Sequence, residues 1–123
     1  MRAAVIYGGV SYSPQIKALG TGVDIVVACP GRLEDLMQQG HIVLDSVEVT
    51  VLDEADHMAD LGFLPCVQRI LNATPGNRQR LLFSATLDNG VQSLVNGYLS
   101  DPVVHAVDTA TSAPSRMSTT CSK

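Results

Sequence analysis

The sequence predicts an α/β fold in which a parallel sheet is flanked by helices, and three observations carry that prediction. Short apolar runs alternate with helix-like stretches along most of the chain, the order expected when each strand returns through a helical crossover. Several runs, such as Ile25-Val26-Val27 and Leu81-Leu82-Phe83, are apolar at consecutive positions, as strands buried on both faces are. The run ending at Leu52 passes directly into Asp53-Glu54-Ala55-Asp56. That places carboxylates at the carboxyl end of a strand, where open α/β sheets bind ligands.

The elements follow in order. Ala3–Tyr7 reads as a strand leading into Gly8-Gly9. Ser13-Pro14 supplies a capping hydroxyl and a proline at the first helical position, and the short helix stops at Gly20. Val23–Cys29 is a second strand, and 30–39 a helix with Pro30 near its start and Gly40 just past its end. Val47, Val49 and Val51 alternate through a third strand closed by Leu52. Pro65–Ala73 places Val67, Ile70 and Leu71 on one helix face before Pro75-Gly76 breaks it. Leu81–Ser84 is a fourth strand. Asp88–Leu99 is a helix carrying Val91, Leu94, Val95 and Tyr98 at i, i+3, i+4 and i+7. Pro102–Val107 is a fifth strand. Beyond Asp108 the chain is Ser/Thr-rich and aperiodic, so 1–108 is expected to be the ordered part and 109–123 a linker or disordered tail.

With 123 residues, 46% of them hydrophobic, the chain has the size and composition of one globular domain. A formal net charge of −4 excludes a broad basic field. Any polynucleotide contact must be local, made by backbone amides and a few arginines. Cys29, Cys66 and Cys121 are widely spaced, which fits reduced thiols in a cytoplasmic protein, with Cys29 and Cys66 as small buried hydrophobes. No signal pattern opens the chain, and no apolar run approaches membrane-spanning length. A soluble protein without membrane contact is expected.

The acidic cluster has two readings. Asp and Glu suit the first turn of a helix through its dipole. They equally suit a hydrated Mg²⁺ on nucleotide phosphates, an ion that takes one or two carboxylates plus water. Ser84-Ala85-Thr86 can be a plain strand-to-helix turn, since hydroxyls commonly cap helices. Gly8-Gly9 can be a tight turn. Pro30-Gly31-Arg32 opens a helix, where free N–H groups and the dipole attract phosphate, although Arg32 could equally be a surface charge.

Taken together and in order, Tyr7-Gly8-Gly9, Ala28-Cys29-Pro30-Gly31-Arg32, Asp53-Glu54-Ala55-Asp56 and Ser84-Ala85-Thr86 resemble the first RecA-like domain of a DEAD-box ATP-dependent RNA helicase. The resemblance runs from about Arg2 to Val107, and the wording around the motifs leans towards a bacterial, RhlE-type member. It implies a RecA-like parallel sheet in a three-layer α/β/α arrangement, here incomplete, and ATP and Mg²⁺ as cofactors. Asp53 is then the Mg²⁺ residue, acting through water, and Glu54 orients and helps deprotonate the attacking water. Asp56 ties the nucleotide site to neighbouring motifs, while Ser84 and Thr86 couple hydrolysis to strand separation. Gly8, Gly9, Pro30, Gly31 and Arg32 are implied to hold the RNA backbone without regard to base sequence. Cys29 departs from the pattern, which has Thr there, and a thiol is the weaker hydrogen-bonding group. His57 is expected to face the cleft between domains without a ligand role.

The only lysines are Lys17 and Lys123, and neither sits in a G-x-x-x-x-G-K-[ST] phosphate loop. The chain therefore reads as the later two-thirds of one helicase domain, to be completed by a phosphate-loop segment and a second RecA-like domain. Without them it is expected not to turn over ATP. The alternative is a non-catalytic remnant that binds RNA or a partner. A further expectation is an apolar strand edge left open where the phosphate-loop strand would pair.

Overall fold

Residues 1–107 and 117–122 are described by a computed structural model, in which the chain divides into two units, Met1–Leu44 and Asp45–Lys123. In the first unit, β1 (Ala3–Ile6) and β2 (Ile25–Ala28) pair in parallel, with Ile6 beside Ala28. Helix α1 (Ser13–Gly20) makes the crossover and α2 (Pro30–Gln38) follows β2. Strand alternation turns Ala4 and Ile6 inward onto Leu36, with Ile16, Leu19 and Ile42 packed around them. Ser13 does not cap α1 as expected. It is the first helical residue, Tyr12 holds the cap position without a side-chain bond, and the Ser13 N–H donates to Ser11 Oγ at 3.3 Å. Tyr12 is engaged elsewhere, donating its hydroxyl to Asp35.

The second unit contains β3 (Val49–Leu52), α3 (Ala55–Asp60), α4 (Leu64–Ala73), β4 (Gln79–Ser84), α5 (Asn89–Tyr98), β5 (Val103–Val107) and β6 (Met117–Ser122). Its sheet order is β3-β4-β6-β5. β3 and β4 are parallel, as expected, and Leu52 lies beside Leu82. Leu82 packs with Val67 and Leu71 of α4, Val91, Leu94 and Val95 of α5, and Ala55 of α3. Burying each such aliphatic side chain stabilises the fold by roughly 1.5–3 kcal/mol. Asp88 caps α5 by accepting from the Val91 N–H at 3.1 Å. The opposite face of the sheet is bare: Val49, Val51, Val103 and Val107 are all half exposed or more. In the first unit Val5, Ile25 and Val27 are likewise exposed. Parallel sheets are normally covered on both faces, so among the described residues two of the three expected layers are present.

The expected tail, 109–123, divides. Residues 108–116 and 123 lie outside the described residues, whereas 117–122 form β6, antiparallel to β4 on one side and β5 on the other. β4 is thereby paired on both sides, by β3 and β6, and the sheet is mixed rather than wholly parallel. An exposed strand edge presents unsatisfied N–H and C=O groups, which is the physical reason an aperiodic Ser/Thr segment can be drawn into a ladder.

β4 also begins two residues earlier than expected, and this brings Arg80 into the interior, where it is 8% exposed. Its Nη1 donates to the Tyr98 carbonyl at 3.0 Å. Its Nη2 reaches the Leu71 carbonyl and Thr74 Oγ1 at 3.0 Å each and the Thr74 carbonyl at 3.4 Å. These oxygens lie at the ends of α4 and α5, where the dipole favours a cation; the Leu71 carbonyl also accepts from the Thr74 N–H and hydroxyl. The guanidinium also lies 5.6 Å from the Tyr98 ring centroid.

Candidate functional site

In the second unit the expected catalytic residues converge. Because β3 and β4 run in parallel with Leu52 beside Leu82, the residues after Leu52 meet the carboxyl end of β4, where Ser84 stands. The Asp56 N–H donates to Ser84 Oγ at 3.2 Å. Ser84 Oγ donates in turn to the Thr86 carbonyl at 2.6 Å, and Thr86 Oγ1 lies 3.4 Å from Asp56 Oδ2. Ser84 is buried at 3% exposure. Asp56, the last residue of the tetrad, and the Ser-Ala-Thr segment thus form one hydrogen-bonded unit.

Burial pushes the Asp56 carboxyl up. Hydrogen bonds from the His57 backbone, the Ser84 hydroxyl, its own N–H and the Ala85 backbone outweigh that effect, so the group sits below its ordinary value. A carboxyl lowered on folding stabilises the fold above its unfolded value and loses that contribution as pH falls through the folded one. The difference in melting temperature between wild type and Asp56→Asn is therefore expected to shrink as pH falls from about 5 towards 3. A constant difference would mean that the network does not depend on the ionised form.

Asp53 and Glu54 are exposed and project from the turn between β3 and α3. Asp53 Oδ1 accepts from the Glu54 N–H at 2.9 Å. Glu54 itself is left-handed, at φ 53° and ψ 47°, a conformation that non-glycine residues rarely adopt. It is the N-cap of α3, a six-residue helix whose first turn holds His57. Among the described residues no group of three or more His, Cys, Asp or Glu is arranged to hold a bare metal ion. Two exposed carboxylates at a strand end instead suit an ion that keeps most of its water, as Mg²⁺ does. His57 is exposed.

In the first unit the parallel register of β1 and β2 brings Gly8-Gly9 and Pro30-Gly31-Arg32 to the same end of the sheet. Gly9 has φ +81°, which requires glycine. Gly8 and Gly31 have no neighbour within 4 Å of a built Cβ, leaving their backbone open to an approaching group. Pro30 is in the first turn of α2, and Cys29 caps the helix by conformation only, without a side-chain bond. Cys66 is buried as expected, but Cys29 is exposed, because the strand ends at Ala28 and the next residue already belongs to the helix entry. Sequence reasoning missed Gln15 and Tyr12, both of which touch Arg32. Gln15 Oε1 accepts from Arg32 Nη1 at 3.1 Å, and the guanidinium stacks 3.9 Å from the Tyr12 ring centroid.

Solved structures with this arrangement place the fold in the RecA-like class of helicase domains. A DEAD-box protein from Methanococcus jannaschii superposes with a TM-score of 0.78 at 42% identity, over 82% of this chain and 28% of that one. The yeast DEAD-box splicing factor Prp28 gives 0.75 at 39% identity, over 80% and 23%. The family model for DEAD/DEAH box helicases matches residues 1–94, and the chain belongs to that family. Relatives include the ATP-dependent RNA helicase DBP2 of Encephalitozoon cuniculi, 46% identical over 82% of this chain and 20% of the relative. RhlB of Xanthomonas campestris is 43% identical over 95% and 21%. The chain thus spans about a fifth of these relatives' length. A chloroplastic helicase of Zea mays matches at 48%, so the matches identify the family and not a bacterial branch. Among the described residues no helix is long and apolar enough to cross a membrane.

Proposed function

We propose that this chain is the part of an ATP-dependent RNA helicase's first RecA-like domain that carries the hydrolytic carboxylates and part of the RNA-backbone grip. The hydrogen-bonded unit of Asp56, Ser84 and Thr86 carries the reading, because it physically joins the acidic turn to the strand end beside it. Mg²⁺, when bound, would supply charge neutralisation at the β- and γ-phosphates of ATP. Asp53 would hold the ion's water shell. Glu54, exposed at the same turn, would accept a proton from and orient the attacking water, a role in which position matters more than covalent chemistry. On the RNA side, the open backbone at Gly8, Gly9 and Gly31, with Pro30 opening α2, would present N–H groups to phosphates, and Arg32 would add a charge-assisted bond. A second RecA-like domain would complete the cleft in the whole protein, whose place would be the cytoplasm.

By itself the chain is proposed to be inactive, since neither Lys17 nor Lys123 lies in a phosphate-loop pattern. ATP hydrolysis by the full chain, with and without single-stranded RNA, is expected not to exceed that of Glu54→Gln. RNA-stimulated turnover that disappears in Glu54→Gln would overturn the proposed inactivity and show that other residues hold the nucleotide. The same lysine count favours a second reading for the isolated chain, a non-catalytic remnant that binds RNA. RNA retention without turnover would support it.

A further inference from the structure

We propose that Gln15 is a positioning residue for RNA, locking the Gly8-Gly9 turn to Arg32 so that both meet the same strand; the inference rests on the RNA-binding reading above. Gln15 is 6% exposed, unusual for a glutamine on a short surface helix. Both ends of its amide are used. Nε2 donates to the Tyr7 carbonyl at 2.9 Å, immediately before the glycine pair. Oε1 accepts from Arg32 Nη1 at 3.1 Å. Arg32 closes the loop by donating from Nη2 to the Val10 carbonyl at 2.9 Å, immediately after the glycine pair. The Gly8-Gly9 turn is therefore held on both sides, once through Gln15 and once by Arg32 itself.

The rest of the cluster fixes the guanidinium plane. The Tyr12 ring stacks on it, and the Tyr12 hydroxyl is tied to Asp35 one turn further along α2. A guanidinium has five N–H donors. Two are used by Gln15 and Val10, and the remainder stay available to a phosphate while the plane is held in a fixed orientation. Without Gln15, glycine backbone and arginine would each have to be ordered when RNA binds, and that ordering opposes binding.

The test is single-stranded RNA binding by the full chain, with a labelled oligouridylate titrated over a range of salt, beside hydrogen exchange of residues 8–11. Gln15→Met keeps an unbranched side chain of similar length and removes both bonds. It is expected to weaken binding about tenfold, to speed exchange at 8–11, and to leave the salt slope unchanged because no charge is lost. Arg32→Ala is expected to lower that slope by about 0.7, the value for one phosphate contact on a single strand. Gln15→Glu keeps the acceptor for Arg32 and is expected to recover part of the affinity, which also guards against a folding defect in Gln15→Met. Wild-type affinity in Gln15→Met would overturn the inference alone, whatever the exchange rates. Failure of the wild type to bind at low salt would overturn the RNA reading and the inference with it.

Discussion

Arg80→Met is expected to destabilise the second unit by about 3 kcal/mol, since hydrogen bonds from a charged group are each worth about 1.5–3 kcal/mol and the Thr74 and Tyr98 carbonyls lose their guanidinium donor when it goes. The Leu71, Thr74 and Tyr98 carbonyls all receive bonds from this one guanidinium. Met fills much of the volume of the arginine stem, so the loss should come from the missing hydrogen bonds and not from a cavity. Arg80→Lys should recover only a fraction, because a point-like ammonium cannot serve the ends of two helices in one plane. Denaturant unfolding of the three proteins checks this. A loss below about 1 kcal/mol in Arg80→Met would fall in the range of ordinary surface substitutions and would show that water replaces the arginine at those carbonyls.

Glu54→Gly is expected to make the protein more stable, by about 1 kcal/mol. An L-residue in the left-handed region is strained by roughly 1–2 kcal/mol, against which glycine brings about 0.4–1 kcal/mol of extra freedom to the unfolded chain. The gain is modest in size but runs against the direction of most substitutions. Glu54→Gln, which keeps the side-chain volume and the strain, should leave stability nearly unchanged. The comparison separates backbone cost from the charge of the carboxylate. If Glu54→Gly melts lower than Glu54→Gln, the left-handed turn is supported by contacts of the side chain and is not a strained position.

The order of elements from β1 to β5 and the α5 core stripe could be read from the sequence, because they rest on local periodicity and turn residues; that the acidic turn and the Ser-Ala-Thr segment act together was implied only by the family resemblance. Val91, Leu94 and Val95 pack as their i, i+3, i+4 spacing requires. What escaped was set by partners distant in sequence. Arg80 reads as a polar residue preceding a strand, and only the helix ends formed by Leu71, Thr74 and Tyr98 make an interior place for it. Gln15 carries no sign of its role in an amphipathic pattern, since its two bonds go to Tyr7 and Arg32 on other elements. β6 has no apolar periodicity at all and is placed by the ladders on either side of it. The left-handed Glu54 likewise follows from a tight strand-to-helix turn and not from any preference of glutamate.

The Ser84 hydroxyl has a single proton and two acceptors within reach, the Thr86 carbonyl at 2.6 Å and the Asp56 carboxylate whose ionised form it favours. One proton can serve only one of these acceptors at a time, which gives the hydroxyl two orientations to choose between. In one, the serine holds the end of its own strand in shape; in the other, it neutralises part of the charge on the acidic turn. Rotation about the Cβ–Oγ bond moves only that proton, so the choice changes the hydrogen bonding of the Thr86 carbonyl and of Asp56 while the backbone of residues 84–86 stays in place.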